Sequence, residues 1–426
     1  MPAHRPAPPV PAHRSDGGAS LEVIYLDHHA TTPCDPRVVE AMLPCFRDDF
    51  GNPASRQHPV GQRAARRVEL ARDQVAALLA ADPREIVFTS GATESNNLAL
   101  LGTVRRSRQQ RGADWRPHVV TAVTEHKAVL DVCTRLEREG CDVTYLGIEA
   151  DGRVRPEAVA GAIRDETVLV SLMLANNEIG VVHPIAEIST ICRDRGVLLH
   201  CDAAQALSHL DCDVDRLGVD LLSLSAHKAY GPKGVGALFV RRRRPRVRLD
   251  AQMLGGGHES GRRSGTLNVP GIVGLGRACV LVARSRESEG VRLSELRDRM
   301  LSRLRQAFPE LVVHGSLEHR LPNNLAIALP GLDAERLLQK PFGVAVSSGA
   351  ACSSASHDGS YVLKALPGAA DLAESSLRLG LGRETTVLDV ETAADRLIAA
   401  ITALEPRSPE SETELVCGAS CAAGMA

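Results

Sequence analysis

The stretch Val219-Asp220-Leu221-Leu222-Ser223-Leu224-Ser225-Ala226-His227-Lys228-Ala229-Tyr230-Gly231-Pro232-Lys233-Gly234 runs a mostly apolar segment straight into a histidine, a lysine and a glycine-rich turn. A short apolar run bounded by turn residues reads as a buried strand, and the end of this one delivers Lys228. The chain has five lysines beside 45 arginines, so nearly all its positive charge comes from arginine. Arginine cannot lose its proton near neutral pH and cannot form a Schiff base, whereas a desolvated lysine can do both. The layout is that expected of a lysine carrying pyridoxal phosphate. A surface lysine in a turn is the competing reading.

The same strand-then-turn pattern repeats on either side. Residues 85–89 read as a strand, after which Ser90-Gly91-Ala92-Thr93-Glu94-Ser95-Asn96-Asn97 opens a helix. Residues 118–123, 168–174, 197–200 and 221–224 read as buried strands, 236–241 as another, and 62–79 as a helix with charges on one side. Strands alternating with helices predict an α/β fold with a mainly parallel sheet covered on both faces. Functional groups in such sheets gather at the carboxyl ends of the strands. Ser90 to Thr93, Glu125-His126, Asn176-Asn177-Glu178, Asp202 and Ser225 to Lys228 all follow a strand directly. Downstream, 290–308 reads as a charged helix, 311–314 and 325–329 as short strands and 334–340 as a helix. Together they make a second, smaller α+β unit. The expected organisation is a disordered extension over 1–20, a large domain over 35–282, a small domain from 21–34 and 283–405, and a loose tail over 406–426.

Composition narrows the function classes. A chain of 426 residues with 44% hydrophobic content and a net charge of −2 is an ordinary globular protein. It has no basic excess that would argue for direct nucleic-acid binding and no apolar stretch long enough for a bilayer. The Pro- and Ala-rich opening lacks the hydrophobic centre of a secretory signal, so the cytoplasm is the default. Eleven cysteines scattered through a chain of this size read as reduced thiols, most of them packing residues such as Cys192 and Cys279.

Each candidate also has a plainer reading. Ser90 to Thr93 offers backbone N–H groups, a hydroxyl and a helix N-terminus, the parts of a phosphate cradle; it also fits a simple glycine turn. It is not a nucleotide-binding P-loop, because no Gly-Lys-Ser/Thr follows. Asp202 emerges from a buried strand and would suit a protonated pyridine nitrogen, or would cap a helix with Gln205 completing a capping box. His126 suits ring stacking or proton transfer, or structure alone. His28-His29 and His258 lack metal-ligand spacing, so no metal is expected. The run Arg241 to Arg244 reads as a solvated strand edge. Cys352 stands apart from the packing cysteines, because Ser347 to Ser356 surrounds it with small polar residues. It reads as a thiol on a mobile loop.

In order, these motifs resemble the cysteine desulfurases of the NifS/IscS type, which are fold-type-I pyridoxal-phosphate enzymes. The likeness spans about residues 24–405. It is carried by Asp27-His28-His29-Ala30-Thr31-Thr32-Pro33, Gly51-Asn52-Pro53-Ala54-Ser55, residues 88–97, Glu125-His126-Lys127-Ala128-Val129, Asn176-Asn177-Glu178-Ile179-Gly180, residues 225–236 and Arg263-Ser264-Gly265-Thr266. The resemblance implies that Lys228 binds the cofactor covalently and later moves the α-proton. Asp202 would pair with the pyridine nitrogen, Gln205 would approach the ring hydroxyl, and His126 would stack on the ring. Ala92, Thr93, Ser225 and His227 would hold the phosphate, with Thr266 supplied by the second subunit of a homodimer. Asn177 and Arg378 would fix the carboxylate of L-cysteine. Cys352 would take the sulfur as a persulfide, leaving L-alanine, and pass it to an acceptor such as an iron–sulfur scaffold protein.

The wording is closer to the IscS-like branch. It departs at Ala350, where serine is usual, at the variable pair His28-His29, and in the tail with Cys417 and Cys421. Selenocysteine lyase activity, another activity of the same fold type, or sulfur supply for tRNA, cofactor or DNA thiolation are the alternatives.

Overall fold

Seven short segments, apolar enough to be covered on both sides, pair into one sheet in this computed structural model. The structure describes residues 23–112, 114–348 and 359–404; Cys352, Cys417 and Cys421 lie outside them. Across the sheet the strands run Ile86–Thr89, Gly236–Val240, Leu221–Ser225, Leu198–Asp202, Thr167–Met173, His118–Ala122 and Asp142–Leu146. Only Gly236–Val240 is antiparallel to its neighbours. Every residue of His118–Ala122, Leu221–Ser225 and Gly236–Val240 is buried. The cause is helices packed on both faces, each side closed by its own apolar cluster. The chain order reverses between the neighbouring strands His118–Ala122 and Thr167–Met173, and at such a switch point a crevice opens beyond the carboxyl ends of the strands.

A second sheet of four antiparallel strands has the order Ser347–Ser348, Ser376–Gly380, Asn324–Ala328, Val312–Val313. It has its own core, built around Leu293, Met300, Leu325, Leu379 and Leu397. Ile24–Tyr25 pairs with Val344–Ala345, so the start of the described chain is stitched to this later unit.

One expectation is corrected. The charged helix anticipated over 290–308 is the second half of a single 39-residue helix, Val269–Ala307. Its first half packs Ile272, Leu275 and Val282 into the core of the large sheet, and its second half packs Leu293, Met300 and Leu304 into the other core. The polar segment between them, Arg284 to Gly290, looks like a break because it buries little. Helical hydrogen bonding continues through it all the same.

Candidate active site

The lysine turn is built by tight local packing. After the strand Leu221–Ser225, a single 3-10 turn, Ala226–Lys228, folds the chain back. Gly231 lies so close that a Cβ there would stand 2.8 Å from the Cβ of Ala226. A distant segment closes the turn: the Thr32 hydroxyl donates to the His227 carbonyl at 2.9 Å and accepts from the Tyr230 N–H at 2.9 Å. The Ser208 hydroxyl donates to the Lys228 carbonyl at 2.8 Å. The Lys228 ammonium donates to the Ala30 carbonyl at 2.8 Å and, more closely, to that of His29.

Lys228 lines a cavity of about 620 Å³ at the carboxyl ends of the strands. Ala92, Thr93, His126, Asn177, Asp202, Gln205, Ser225 and His227 line it too, so nine of the expected site residues meet in one place. Asp202, the last residue of its strand, is buried. Its Oδ1 accepts the Ala204 N–H at 2.9 Å and its Oδ2 accepts the Asn96 amide at 2.6 Å. Residues 204–209 form turns rather than a helix, so the capping-box reading of Asp202 and Gln205 does not hold. Both Gln205 amide atoms are engaged by His29 instead.

His126 caps the helix Lys127–Arg138, its Nδ1 accepting the Ala128 N–H at 3.0 Å. A neutral ring with an accepting Nδ1 carries its proton on Nε2. Behind it, Glu125 is fully buried, with Oε1 accepting the Met173 N–H at 2.8 Å. Burial, with Asp202 adding to it, pushes the Glu125 carboxyl well above the usual carboxylate range.

The cavity's other end is an anion cradle. The 20-residue helix Ala92–Arg111 begins there after Gly91 with no side-chain cap, so its first N–H groups and its positive end face the cavity. The Ser225 hydroxyl and the His227 ring stand beside it. Burial, then Lys228 and Lys233, push the His227 ring down to about 4, leaving a neutral ring. Its Nδ1 lies 3.1 Å from the Thr31 hydroxyl.

This donor set fits pyridoxal phosphate group by group: an amine for the aldehyde, a carboxylate for the pyridinium, an aromatic ring for its face, and an uncapped helix with hydroxyl and imidazole for the phosphate. Two expected residues do not line the cavity. Thr266 is exposed in the single chain. Arg378 is 1% exposed and sits behind Asn177, with Nη1 on the Asn177 carbonyl at 3.0 Å and Nη2 on Asp27 at 2.8 Å. Three further residues escaped the sequence reading. They are Asn96, which holds Asp202, Glu125, which lies behind His126, and His29, which holds Gln205; the residues next to each in the chain give no sign of these partners.

Comparison with known proteins places the chain in a family. Residues 24–392 match the model of the aminotransferase class-V family. The chain is 55% identical over 370 residues to the cysteine desulfurase IscS of Anaeromyxobacter dehalogenans (strain 2CP-C), covering 87% of this chain and 90% of the relative. A solved NifS-like protein superposes with a TM-score of 0.82 at 33% identity, over 90% of this chain and all of that one. A solved complex of SspA with cysteine superposes with a TM-score of 0.73 at 36% identity, over 84% of this chain and 98% of that one.

Proposed function

The chain belongs to the aminotransferase class-V family and, within it, to the pyridoxal-phosphate-dependent cysteine desulfurases, and from that premise we propose how its own residues divide the work on L-cysteine. The reading rests on one observation: Lys228, Asp202, His126 and the uncapped start of Ala92–Arg111 converge on a single cavity. Bound there, pyridoxal phosphate supplies an electron sink that makes the substrate's α-proton removable and the carbon skeleton a leaving group.

Lys228 would hold the cofactor covalently and would move the substrate's α-proton. The carbonyls of His29 and Ala30 hold its Nζ in place beforehand. Asp202, held by Asn96 and the Ala204 N–H, would pair with the pyridine nitrogen. His126 would stack on the ring, with its Nε2–H as the exchangeable proton. Ala92, Thr93, Ser225 and His227 would bind the phosphate, and Thr266, exposed in the single chain, would serve the cavity of the second subunit of a homodimer. Asn177 and Arg378 take the substrate carboxylate. For Arg378 this means exchanging Asp27 for another carboxylate at the same guanidinium, an exchange its planar fork suits.

Cys352, outside the described residues, is the sulfur acceptor. As thiolate it attacks the substrate sulfur. The S–S bond of a persulfide forms, the Cβ–S bond breaks, and its electron pair stays with the carbon skeleton, which is protonated to alanine. Transfer onward to a scaffold protein for iron–sulfur assembly, in the cytoplasm, completes the proposal. No helix among the described residues is long and apolar enough to cross a membrane.

The test incubates the protein with pyridoxal phosphate, L-cysteine and a reductant, and measures alanine and sulfide for wild type and Cys352→Ala. Both products from wild type alone are expected. Equal turnover by Cys352→Ala would refute the persulfide step, and a yellow protein that turns over selenocysteine but leaves cysteine untouched would redirect the substrate.

A further inference from the structure

His29 lies two residues after Asp27, the aspartate that pairs with Arg378, and is 1% exposed. Its contacts form an ordered chain. The Oδ1 of Asn324 accepts from Nη1 of Arg320 at 2.7 Å. A guanidinium only donates, so the amide oxygen of Asn324 must face it. The amide nitrogen then faces the other way, toward the Nε2 of His29 and the Glu178 carbonyl, each at 3.1 Å. A donor on Nε2 makes that nitrogen the acceptor and puts the ring proton on Nδ1. Nδ1 lies 3.1 Å from the Oε1 of Gln205, which can only accept. The Gln205 amide nitrogen is therefore turned away from the ring, and it donates one N–H to the His29 carbonyl at 3.0 Å. That same carbonyl also accepts from Lys228 Nζ. A primary amide has two N–H bonds, and the second remains for the cavity that Gln205 lines.

We infer that His29 is a positioning residue which, fixed by Asn324 of the smaller sheet and through it by Arg320, orients the Gln205 amide so that an N–H rather than a carbonyl faces the cofactor's ring oxygen. The inference rests on the cofactor reading above. Its physical content is the sign of one dipole. An N–H stabilises the negative form of the ring oxygen, whereas a flipped amide would place a carbonyl there and oppose it. A histidine serving only to fill the core would need satisfied nitrogens but no particular proton position. Here the proton's place is dictated from a guanidinium that cannot accept. The surroundings keep the ring neutral: burial, then Arg378, hold it well below its usual value, against the opposing bond to Gln205, and His209 and Lys228 push the same way as Arg378.

Two conservative variants separate the nitrogens. His29→Asn places an amide nitrogen near Nδ1 and keeps the donor to Gln205. His29→Gln places its amide near Nε2, keeps contact with Asn324 and loses the donor to Gln205. The readout is the visible band of bound pyridoxal phosphate, titrated without substrate, together with thermal unfolding and the kcat and KM for L-cysteine. His29→Gln is expected to move the band's pH midpoint up by about one unit, roughly tenfold in proton affinity, and to lower kcat more than it raises KM. His29→Asn is expected to stay near wild type. In a Gln205→Leu background, His29→Gln should add no further shift. Equal midpoints for both variants, or a full shift persisting without Gln205, would overturn the inference even if both variants unfold at lower temperature. A wild type that takes up no pyridoxal phosphate would refute the cofactor reading and this inference together.

Discussion

Acid sensitivity of the fold can be worked out from His200. This ring lies inside the large sheet, with Nδ1 2.8 Å from the Ser171 hydroxyl and Nε2 2.9 Å from the Ser223 hydroxyl, on the two flanking strands. It is fully buried, and burial, only partly opposed by Asp202, pushes it down to about 4 from an ordinary 6.5. Because the folded value lies below the unfolded one, the unfolded chain binds the extra proton between the two. The contribution is therefore complete above about pH 6.5 and drains away as pH falls toward 4. At about 1.4 kcal/mol per pH unit, the whole span is worth about 3 kcal/mol for this one ring. His183 and His314, each also held down to about 4 by burial, act in the same direction.

The perturbation is His200→Gln, which keeps hydrogen-bonding groups between the strands but cannot titrate. The assay is the urea midpoint of the holoenzyme at pH 7, 6 and 5, with excess pyridoxal phosphate. The variant should be less stable than wild type at pH 7, and the gap should narrow as pH falls, because wild type alone loses the His200 contribution. A gap that stays constant from pH 7 to 5 would refute the reasoning, since it would mean the ring takes its proton without unfolding.

Two further changes probe the frame. Glu259 is bound bidentately by Arg72 at 2.7 and 2.9 Å and also accepts the Phe88 N–H at 2.9 Å, next to the strand that leads into the phosphate cradle. Glu259→Ala leaves a mostly buried guanidinium with only the exposed Glu69 carboxylate, 3.4 Å away, and the Ile86 carbonyl as partners and should cost about 3 kcal/mol, read as a clear drop in Tm; a drop of a degree or less would mean the pair is effectively solvated. Gly180 has a φ of +69°, and a Cβ there would stand 2.2 Å from the side-chain amide carbon of Asn324. Gly180→Ala should cost more than about 1 kcal/mol and should displace Asn324, so a variant with unchanged Tm would argue against this packing.

The site was legible where its chemistry is local. A strand covered on both faces must be apolar throughout, and the residue after it must turn, so Lys228, Asp202, His126 and Ala92 to Thr93 could each be placed at a strand's end from neighbours a few positions away. Their order along the chain then sufficed for the family resemblance. What escaped depends on contacts between distant positions. His29 meets Gln205 and Asn324, 176 and 295 residues away, and nothing in its neighbourhood announces either partner. Arg378 could be assigned to a carboxylate from its motif, but its resting partner Asp27, 351 residues away, appears only in the fold. The 39-residue helix escaped for a related reason. Its midsection buries little, so periodicity falls silent there, while cores on either side hold both halves helical.

Residue types and short-range order thus determined by themselves which chemistry the chain can host and at which strand ends, because strand, turn and helix start are decided over a few residues. The tertiary structure alone decided which buried groups are neutral, which way the Gln205 amide faces and what holds Arg378. Proton positions and pairings in a water-poor interior are set by whichever donor or acceptor packing brings within about 3 Å, and that neighbour can come from anywhere in the chain.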